Sequence, residues 1–68
     1  MILTTEAVEE VRKNLKAKAR LSVDLGISIY TIDKHLRENK HDSDLTKIVS
    51  LNIISEETGL DVNQILKK

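Results

Sequence analysis

A single glycine between two pairs of apolar residues constrains this chain more than any other feature. Leu21 and Leu25 lie four residues apart and therefore share one face of a helix. Gly26 follows at once, and glycine adopts the left-handed conformation that ends a helix without a Cβ penalty. Ser28 has the side-chain oxygen that caps a second helix beginning near Ile29. The sequence therefore predicts two short helices that fold back around one glycine.

The second helix has an apolar face of its own. Ile32 and Leu36 repeat the four-residue spacing, and Ile27 supplies an apolar side chain at the turn. Ser22 is small, and it follows Leu21 at a point where a large side chain would hold the two helices apart. These choices favour two packed helices that cross at a steep angle.

The segment resembles the helix-turn-helix of phage Cro proteins and related repressors, in which a leucine, a glycine and a β-branched residue occupy the turn. The residues that carry the resemblance are Asp24-Leu25-Gly26-Ile27 and, downstream, Ile32-Asp33-Lys34. A second stretch is similar to the last two helices of the Cro and lambda-type repressor domain, with Leu51, Ile54 and the run Gly59-Leu60-Asp61-Val62-Asn63-Gln64-Ile65-Leu66. The chain departs from the family at Ser22, where alanine or glycine is usual, and at His35, where an aliphatic residue is frequent.

The expected fold is all-α, a compact lambda-repressor-like bundle of five short helices that contains a helix-turn-helix and forms a single domain over residues 1–68. Thr4 or Thr5 caps a first helix that runs to about Lys16, and Leu3 packs on Val8 as a hydrophobic staple. No breaker marks the border with the second helix, and we place a tight turn within residues 16–19.

The second half of the chain predicts two further helices. Residues 38–42 are polar and predict a loop, after which Asp42 or Ser43 caps a fourth helix over about 44–58. Gly59 ends that helix and Asp61 caps the last one. The apolar face of the fourth helix consists of Leu45, Ile48, Val49, Leu51 and Ile54, and Val62, Ile65 and Leu66 of the last helix close the core.

The charge of the chain is unevenly distributed. Eleven basic and eleven acidic residues give a net charge of zero. Residues 1–10 contain three acidic residues and no basic residue. Residues 11–41 contain eight basic and three acidic residues, a net charge of +5. Residues 42–68 have a net charge of −2. The positive charge thus falls on the predicted helix-turn-helix, as a surface that faces phosphates requires.

The resemblance to Cro implies that the second helix of the motif, about residues 29–38, enters the major groove of double-stranded DNA. The residues at its start and one turn later then face the bases: Ile29, Tyr30, Asp33 and Lys34. Lys34 is expected to donate to guanine, Asp33 to accept from cytosine, and Ile29 to contact a thymine methyl group. Contacts to the DNA backbone are assigned to Lys16, Lys18 and Arg20 before the first helix of the motif, and to Ser28, Thr31, Arg37, Lys40 and His41.

Each assignment has an ordinary structural alternative. Asp33 with Arg37, and Lys34 with Glu38, are four residues apart and are also consistent with surface ion pairs. Ile29 is also suited to packing against the first helix of the motif. The remaining alternatives are a Tyr30 ring that covers the edge of the core and a solvated face for Lys16, Lys18 and Arg20.

The expected function is sequence-specific binding of double-stranded DNA by a transcriptional regulator, most simply a repressor. The alternative is a helix-turn-helix fold retained as a protein-interaction module, such as an antitoxin-like or scaffold domain. We expect no enzyme, because the chain has no glycine-rich phosphate loop and no arrangement typical of a catalytic triad. His35 and His41 lack the companions of a zinc site, so no metal, cofactor or small-molecule ligand is expected.

Location and assembly follow from composition and length. The chain has no cysteine, no long uncharged apolar run and an acidic first segment unlike a signal peptide, which predicts a cytoplasmic protein without membrane contact. Late aliphatic residues exceed what one small core needs: Ile53, Ile54, Leu60 and Leu66. We therefore expect a homodimer through the last two helices, since repressors of this type read two half-sites about 34 Å apart.

Overall fold

A computed structural model describes residues 1–67 as a mostly helical chain. Its elements are β1 (Ile2–Leu3), α1 (Thr5–Lys13), α2 (Leu15–Leu25), α3 (Ile29–Glu38), a 3₁₀ turn (Asp44–Thr46), α4 (Ile48–Thr58), α5 (Val62–Ile65) and β2 (Leu66–Lys67). The described residues thus contain the five predicted α-helices, and α2 packs against both α3 and α4. The 3₁₀ turn and the two strands were not predicted.

Asn14 separates α1 from α2. Its backbone is extended and its N–H donates to the carbonyl of Val11, while its side-chain oxygen accepts from the N–H of Ala17 at 3.0 Å. One residue therefore closes the first helix and caps the second. The side-chain amide of Asn14 also donates to the carbonyl of Glu57 at 3.1 Å, which ties this junction to α4. The tight turn predicted within residues 16–19 is wrong, because those residues lie inside α2.

The predicted fourth helix is interrupted near its start. The Ser43 side chain caps the short 3₁₀ turn, and Lys47 is extended before α4 begins. The hydroxyl of Ser50, which is fully buried, donates to the carbonyl of Asp44 at 2.7 Å and holds the 3₁₀ turn against α4.

This interruption changes which residues of α4 face the core. Ile48 and Val49 are 78% and 43% exposed, so their predicted place on the apolar face is wrong. Leu51 and Ile54 are buried as predicted, and Ile53 is buried with them. Val62 in α5 is 45% exposed and does not close the core as expected.

A two-stranded antiparallel sheet joins the two ends of the described chain. Ile2 lies opposite Lys67 and Leu3 opposite Leu66. The pairing continues with the N–H of Thr4, which donates to the carbonyl of Ile65 at 2.8 Å. Strands of two residues have no hydrophobic periodicity, which is why the pattern of the sequence did not reveal them.

The core draws side chains from every helix. Its buried apolar residues are Leu3, Ala7, Val11, Ala17, Leu21, Ile32, Leu36, Leu45, Leu51, Ile53, Ile54 and Ile65, with Val8, Leu25, Ile27, Leu60 and Leu66 partly buried against them. Of the apolar residues predicted to pack around the glycine turn, Leu21, Ile32 and Leu36 are buried in the core and Leu25 is partly buried against it. Ile53 and Ile54 are inside the monomer, which removes much of the aliphatic surplus from which a dimer was expected.

Candidate nucleic-acid interface

Gly26 and Ser22 together fix the turn between α2 and α3. Gly26 has φ 67° and ψ 30°, the left-handed conformation predicted for it. Ile27 donates its N–H to the carbonyl of Ser22 at 3.1 Å, and the Ser22 hydroxyl donates to the carbonyl of Ile27. Ser22 therefore satisfies both backbone polar groups of Ile27, a role that its small size alone did not suggest.

Ser28 caps α3 as predicted. Its Oγ accepts from the N–H of Thr31 at 3.1 Å and lies 3.0 Å from Oγ1 of Thr31. Ser28 is exposed and Thr31 is half-buried. Both hydroxyls thus take part in the cap at the start of the helix, and their assignment to the DNA backbone stays a prediction.

One side of α3 is buried and the opposite side is open. Ile32 and Leu36 are buried, whereas Tyr30 is 76% exposed and Ile29 is 37% exposed. Residues three and four apart in a helix are neighbours on its surface. We call the connected exposed and half-buried set on that side the outer face of α3: Ile29, Tyr30, Asp33, Lys34 and Arg37.

Asp33 is bound by α2 rather than by its own helix. Its Oδ1 lies 3.2 Å from Nζ of Lys18, and the two side chains are 45% and 15% exposed. The alternative pairing of Asp33 with Arg37 does not form. Lys18 is four residues after Asn14 and three before Leu21, so the three lie on one side of α2. Because Leu21 is buried there, the Lys18 side chain is mostly covered.

Two other basic residues that were predicted to contact the DNA backbone, Lys16 and Arg20, interact with α4 instead. Arg20 donates to Glu56 Oε1 at 2.8 Å and to Glu57 Oε2 at 2.9 Å, and these hydrogen bonds raise the pKa of Arg20 above its ordinary value. Lys16 Nζ lies 3.9 Å from Glu57 Oε1. Both residues are within α2, so the expectation that the basic residues precede the first helix of the motif is wrong. Lys16 is otherwise exposed.

Lys40 and His41, which follow α3, are open to solvent. Lys40 Nζ lies 3.8 Å from Glu38 Oε1 with its side chain 75% exposed, and His41 is exposed. Asn39 ends the helix with φ 44°, and its side-chain amide donates to the carbonyl of Leu3 at 3.0 Å. This bond anchors the end of α3 to the minor sheet, so Lys40 and His41 project from a fixed point.

Three of the four cations that remain unpaired lie on or near the outer face of α3. Four lysine and arginine residues within 1–67 have no carboxylate of that range within 4.0 Å: Arg12, Lys34, Arg37 and Lys67. Lys34 and Arg37 belong to the outer face, Arg12 lines the same cleft as Arg37, and Lys67 lies in β2. The alternative ion pair between Lys34 and Glu38 does not form.

The cleft is bounded by three helices. Its volume is about 330 Å³, and we call it the three-helix cleft. Arg12 of α1, Lys18 of α2, and Asp33 and Arg37 of α3 line it. Arg12 was not among the expected site residues, because nothing in the sequence shows where the end of α1 meets α3.

Residues 1–67 contain no group of three histidine, cysteine, aspartate or glutamate side chains able to hold a metal ion. No helix among them has the length and apolar character needed to cross a bilayer. Comparisons of the chain with family models, with curated proteins and with solved structures found no match.

Proposed function

We propose that this protein binds double-stranded DNA sequence-specifically and regulates transcription, most simply as a repressor, with α2 and α3 as a helix-turn-helix in a lambda-repressor-like bundle. The observation that carries the proposal is the gathering of Arg12, Lys34 and Arg37 near one exposed helix face, although the chain has no net charge. Phosphate neutralisation by such cations supplies most of the non-specific affinity of proteins for DNA. The major groove is wide enough to admit one α-helix.

The outer face of α3 offers suitable groups for reading base edges. Lys34 donates to guanine O6 and N7, Ile29 contacts a thymine methyl group, and the Tyr30 hydroxyl reaches a base or a phosphate. Asp33 accepts from cytosine N4 in this proposal. A free carboxylate on a DNA-facing surface would repel the phosphates. The ion pair with Lys18 reduces this repulsion, because it largely neutralises the charge of Asp33.

Contacts to the DNA backbone surround this face. Arg37, Lys40 and His41 lie at and beyond the end of α3, and Ser28 and Thr31 lie at its start. Lys16 is exposed and remains a backbone candidate, whereas Arg20 reaches DNA only if it leaves Glu56 and Glu57. Such contacts fix the register of the protein on the duplex and carry no sequence information.

Two copies bound through their last two helices would place two α3 helices on one duplex. Ile48 and Val49 of α4 and Val62 of α5 are the exposed apolar side chains available for that contact. We expect sedimentation analysis to detect a dimer on a palindromic duplex. A single bound copy on such a duplex, at every protein concentration, refutes the dimer and leaves DNA binding intact.

The second candidate is a protein-interaction module of helix-turn-helix type, such as an antitoxin-like or scaffold domain. Internal ion pairing favours it, because six of the ten lysine and arginine residues within 1–67 lie within 4.0 Å of a carboxylate. A module of this kind shows no duplex binding even at low salt. A DNA-binding protein loses affinity as salt rises, by about 0.9 log units per log unit of salt for each phosphate neutralised.

Selection of binding sites from random duplexes tests base reading by α3. We expect the parent protein to recover a defined sequence, and Lys34→Ala to relax the preference at one position by about 1–3 kcal/mol. Lys47→Ala is the matched control, since Lys47 is exposed but pairs with Asp44 at 2.9 Å and lies outside α3. An unchanged preference in Lys34→Ala refutes base reading by this face.

A further inference from the structure

We infer that the three-helix cleft holds one phosphate of the DNA backbone, with the guanidinium groups of Arg12 and Arg37 on either side of it. This inference rests on the proposed function, and it extends the interface to α1, which neither the sequence nor the resemblance assigned to DNA. It gives a role to Arg12, a cation that no carboxylate of residues 1–67 neutralises.

The charges in the cleft favour an anion. Lys18 and Asp33 are bonded to each other at 3.2 Å, so their charges largely cancel. Arg12 and Arg37 line the same cleft, are exposed, and have no carboxylate partner within the described chain. A guanidinium group presents a planar fork of N–H donors that matches phosphate oxygens in pairs. The cleft volume of about 330 Å³ leaves room for a phosphate group.

Lys18 keeps Arg37 available. Asp33 and Arg37 are four residues apart on α3, the spacing at which an acid and a base commonly pair along a helix. Lys18 takes the Asp33 carboxylate instead, because the partly buried amine reaches it from α2. Removing the Lys18 amine therefore releases Asp33 to pair with Arg37. This weakens phosphate binding in the cleft although both arginines are still present.

The cleft lies beside the face of α3 that is proposed to read the bases. Arg37 is three residues after Lys34 and seven after Tyr30, so it belongs to the same side of α3 as the base-reading residues. A phosphate between Arg37 and Arg12 would therefore sit at the rim of the groove that α3 enters. Its capture by α1 fixes how deeply and at what angle α3 lies in the groove, which is the usual effect of backbone contacts.

The test measures duplex affinity by fluorescence anisotropy between 50 and about 200 mM salt, the range over which phosphate contacts dominate the salt dependence. The variants are Arg12→Gln, Arg37→Gln, the double variant and Lys18→Gln. Lys13→Gln is the matched control, because Lys13 is the neighbour of Arg12 on α1 and pairs with Glu10 at 3.0 Å. Far-UV circular dichroism confirms that each variant is folded.

We expect the double arginine variant to lose about 0.9 from the slope of log affinity against log salt, the value for one phosphate. Each single variant loses no more than this, Lys18→Gln loses part of it, and Lys13→Gln keeps the parental slope. A further double variant, Arg12→Lys with Arg37→Lys, keeps most of the slope but binds DNA more weakly, since an ammonium group cannot bind two phosphate oxygens side by side.

Three results overturn the inference. A loss of about 1.8 in the double variant means that the arginines contact two separate phosphates. A parental slope in the double variant means that neither contacts DNA, even if inorganic phosphate binds the cleft in a parallel titration. Both of these leave DNA binding itself standing. Absence of duplex binding by the parent protein at low salt overturns the proposed function together with the inference.

Discussion

Replacing Gly26 with alanine tests the break between α2 and α3 that the proposed interface requires. The φ of 67° at Gly26 costs an L-residue with a Cβ about 1–2 kcal/mol. A Cβ built on Gly26 meets no atom within 4 Å, so no clash adds to this cost. Alanine also lowers the entropy of the unfolded chain, which offsets part of the loss, up to about 1 kcal/mol. We expect a net loss of about 1 kcal/mol in the free energy of unfolding.

The sign of the change is the informative part. A helix that continued through residue 26 would be stabilised by alanine, by about 1 kcal/mol relative to glycine. Gly26→Asn should cost less than Gly26→Ala, because asparagine adopts the left-handed conformation more readily than other residues with a Cβ. Gly59→Ala is the matched control, since Gly59 has φ 77° and equally open surroundings.

Urea unfolding followed by circular dichroism measures these differences. A loss of about 1 kcal/mol corresponds to a fall in the midpoint of thermal unfolding of about 4–8 °C for a domain of this size. Both alanine variants should unfold earlier than the parent, and by similar amounts. If Gly26→Ala unfolds at a higher urea concentration while Gly59→Ala unfolds at a lower one, α2 and α3 are one continuous helix and the interface is not formed as described.

Three further perturbations test the contacts around the site. A double-mutant cycle on Lys18 and Asp33 should give a coupling free energy of about 0.5–1 kcal/mol in urea unfolding, decreasing with salt, and zero coupling would show that the pair does not form in solution. Ser22→Ala should cost about 1–2 kcal/mol in the same assay, because it leaves a carbonyl of the turn without its hydroxyl donor, and a neutral result would contradict the bond. A hydrogen bond from Lys47 lowers the pKa of Asp44, so Asp44 contributes stability above the ordinary aspartate pKa of about 3.9, and this contribution disappears as the pH falls through the lower folded-state value. Asp44→Asn should make the free energy of unfolding depend less on pH in this acidic range. An NMR titration that finds an ordinary pKa for Asp44 would refute the hydrogen bond from Lys47.

The ends of most helices could be predicted from the sequence because their signals are local. Gly26 and Gly59 both adopt the left-handed conformation expected of them, and Ser28 and Asp61 both cap the helices that follow. Each of these residues acts on backbone groups two to four positions away, so the residues that immediately surround it contain the whole signal.

The features that could not be predicted depend on residues far apart in the chain. Asn14 marks a helix border partly through its bond to the carbonyl of Glu57 in α4, and the two strands form only because the chain ends meet. Helical spacing suggested a partner for Asp33 within α3, but a partly buried lysine on α2 competes better than an exposed arginine one turn away. Arg12 lies in the candidate site only because three helices pack together there. A local sequence pattern does not predict such packing.

An NMR titration of the isotopically labelled protein with duplex DNA at low salt tests the central claim most directly. We expect amide and side-chain signals to shift along the outer face of α3, most strongly at Tyr30, Lys34 and Arg37, while the signals of Ile48 and Val62 shift only if two copies pair. A duplex that leaves the outer face of α3 unchanged, or that shifts only residues of α4 and α5, contradicts this claim.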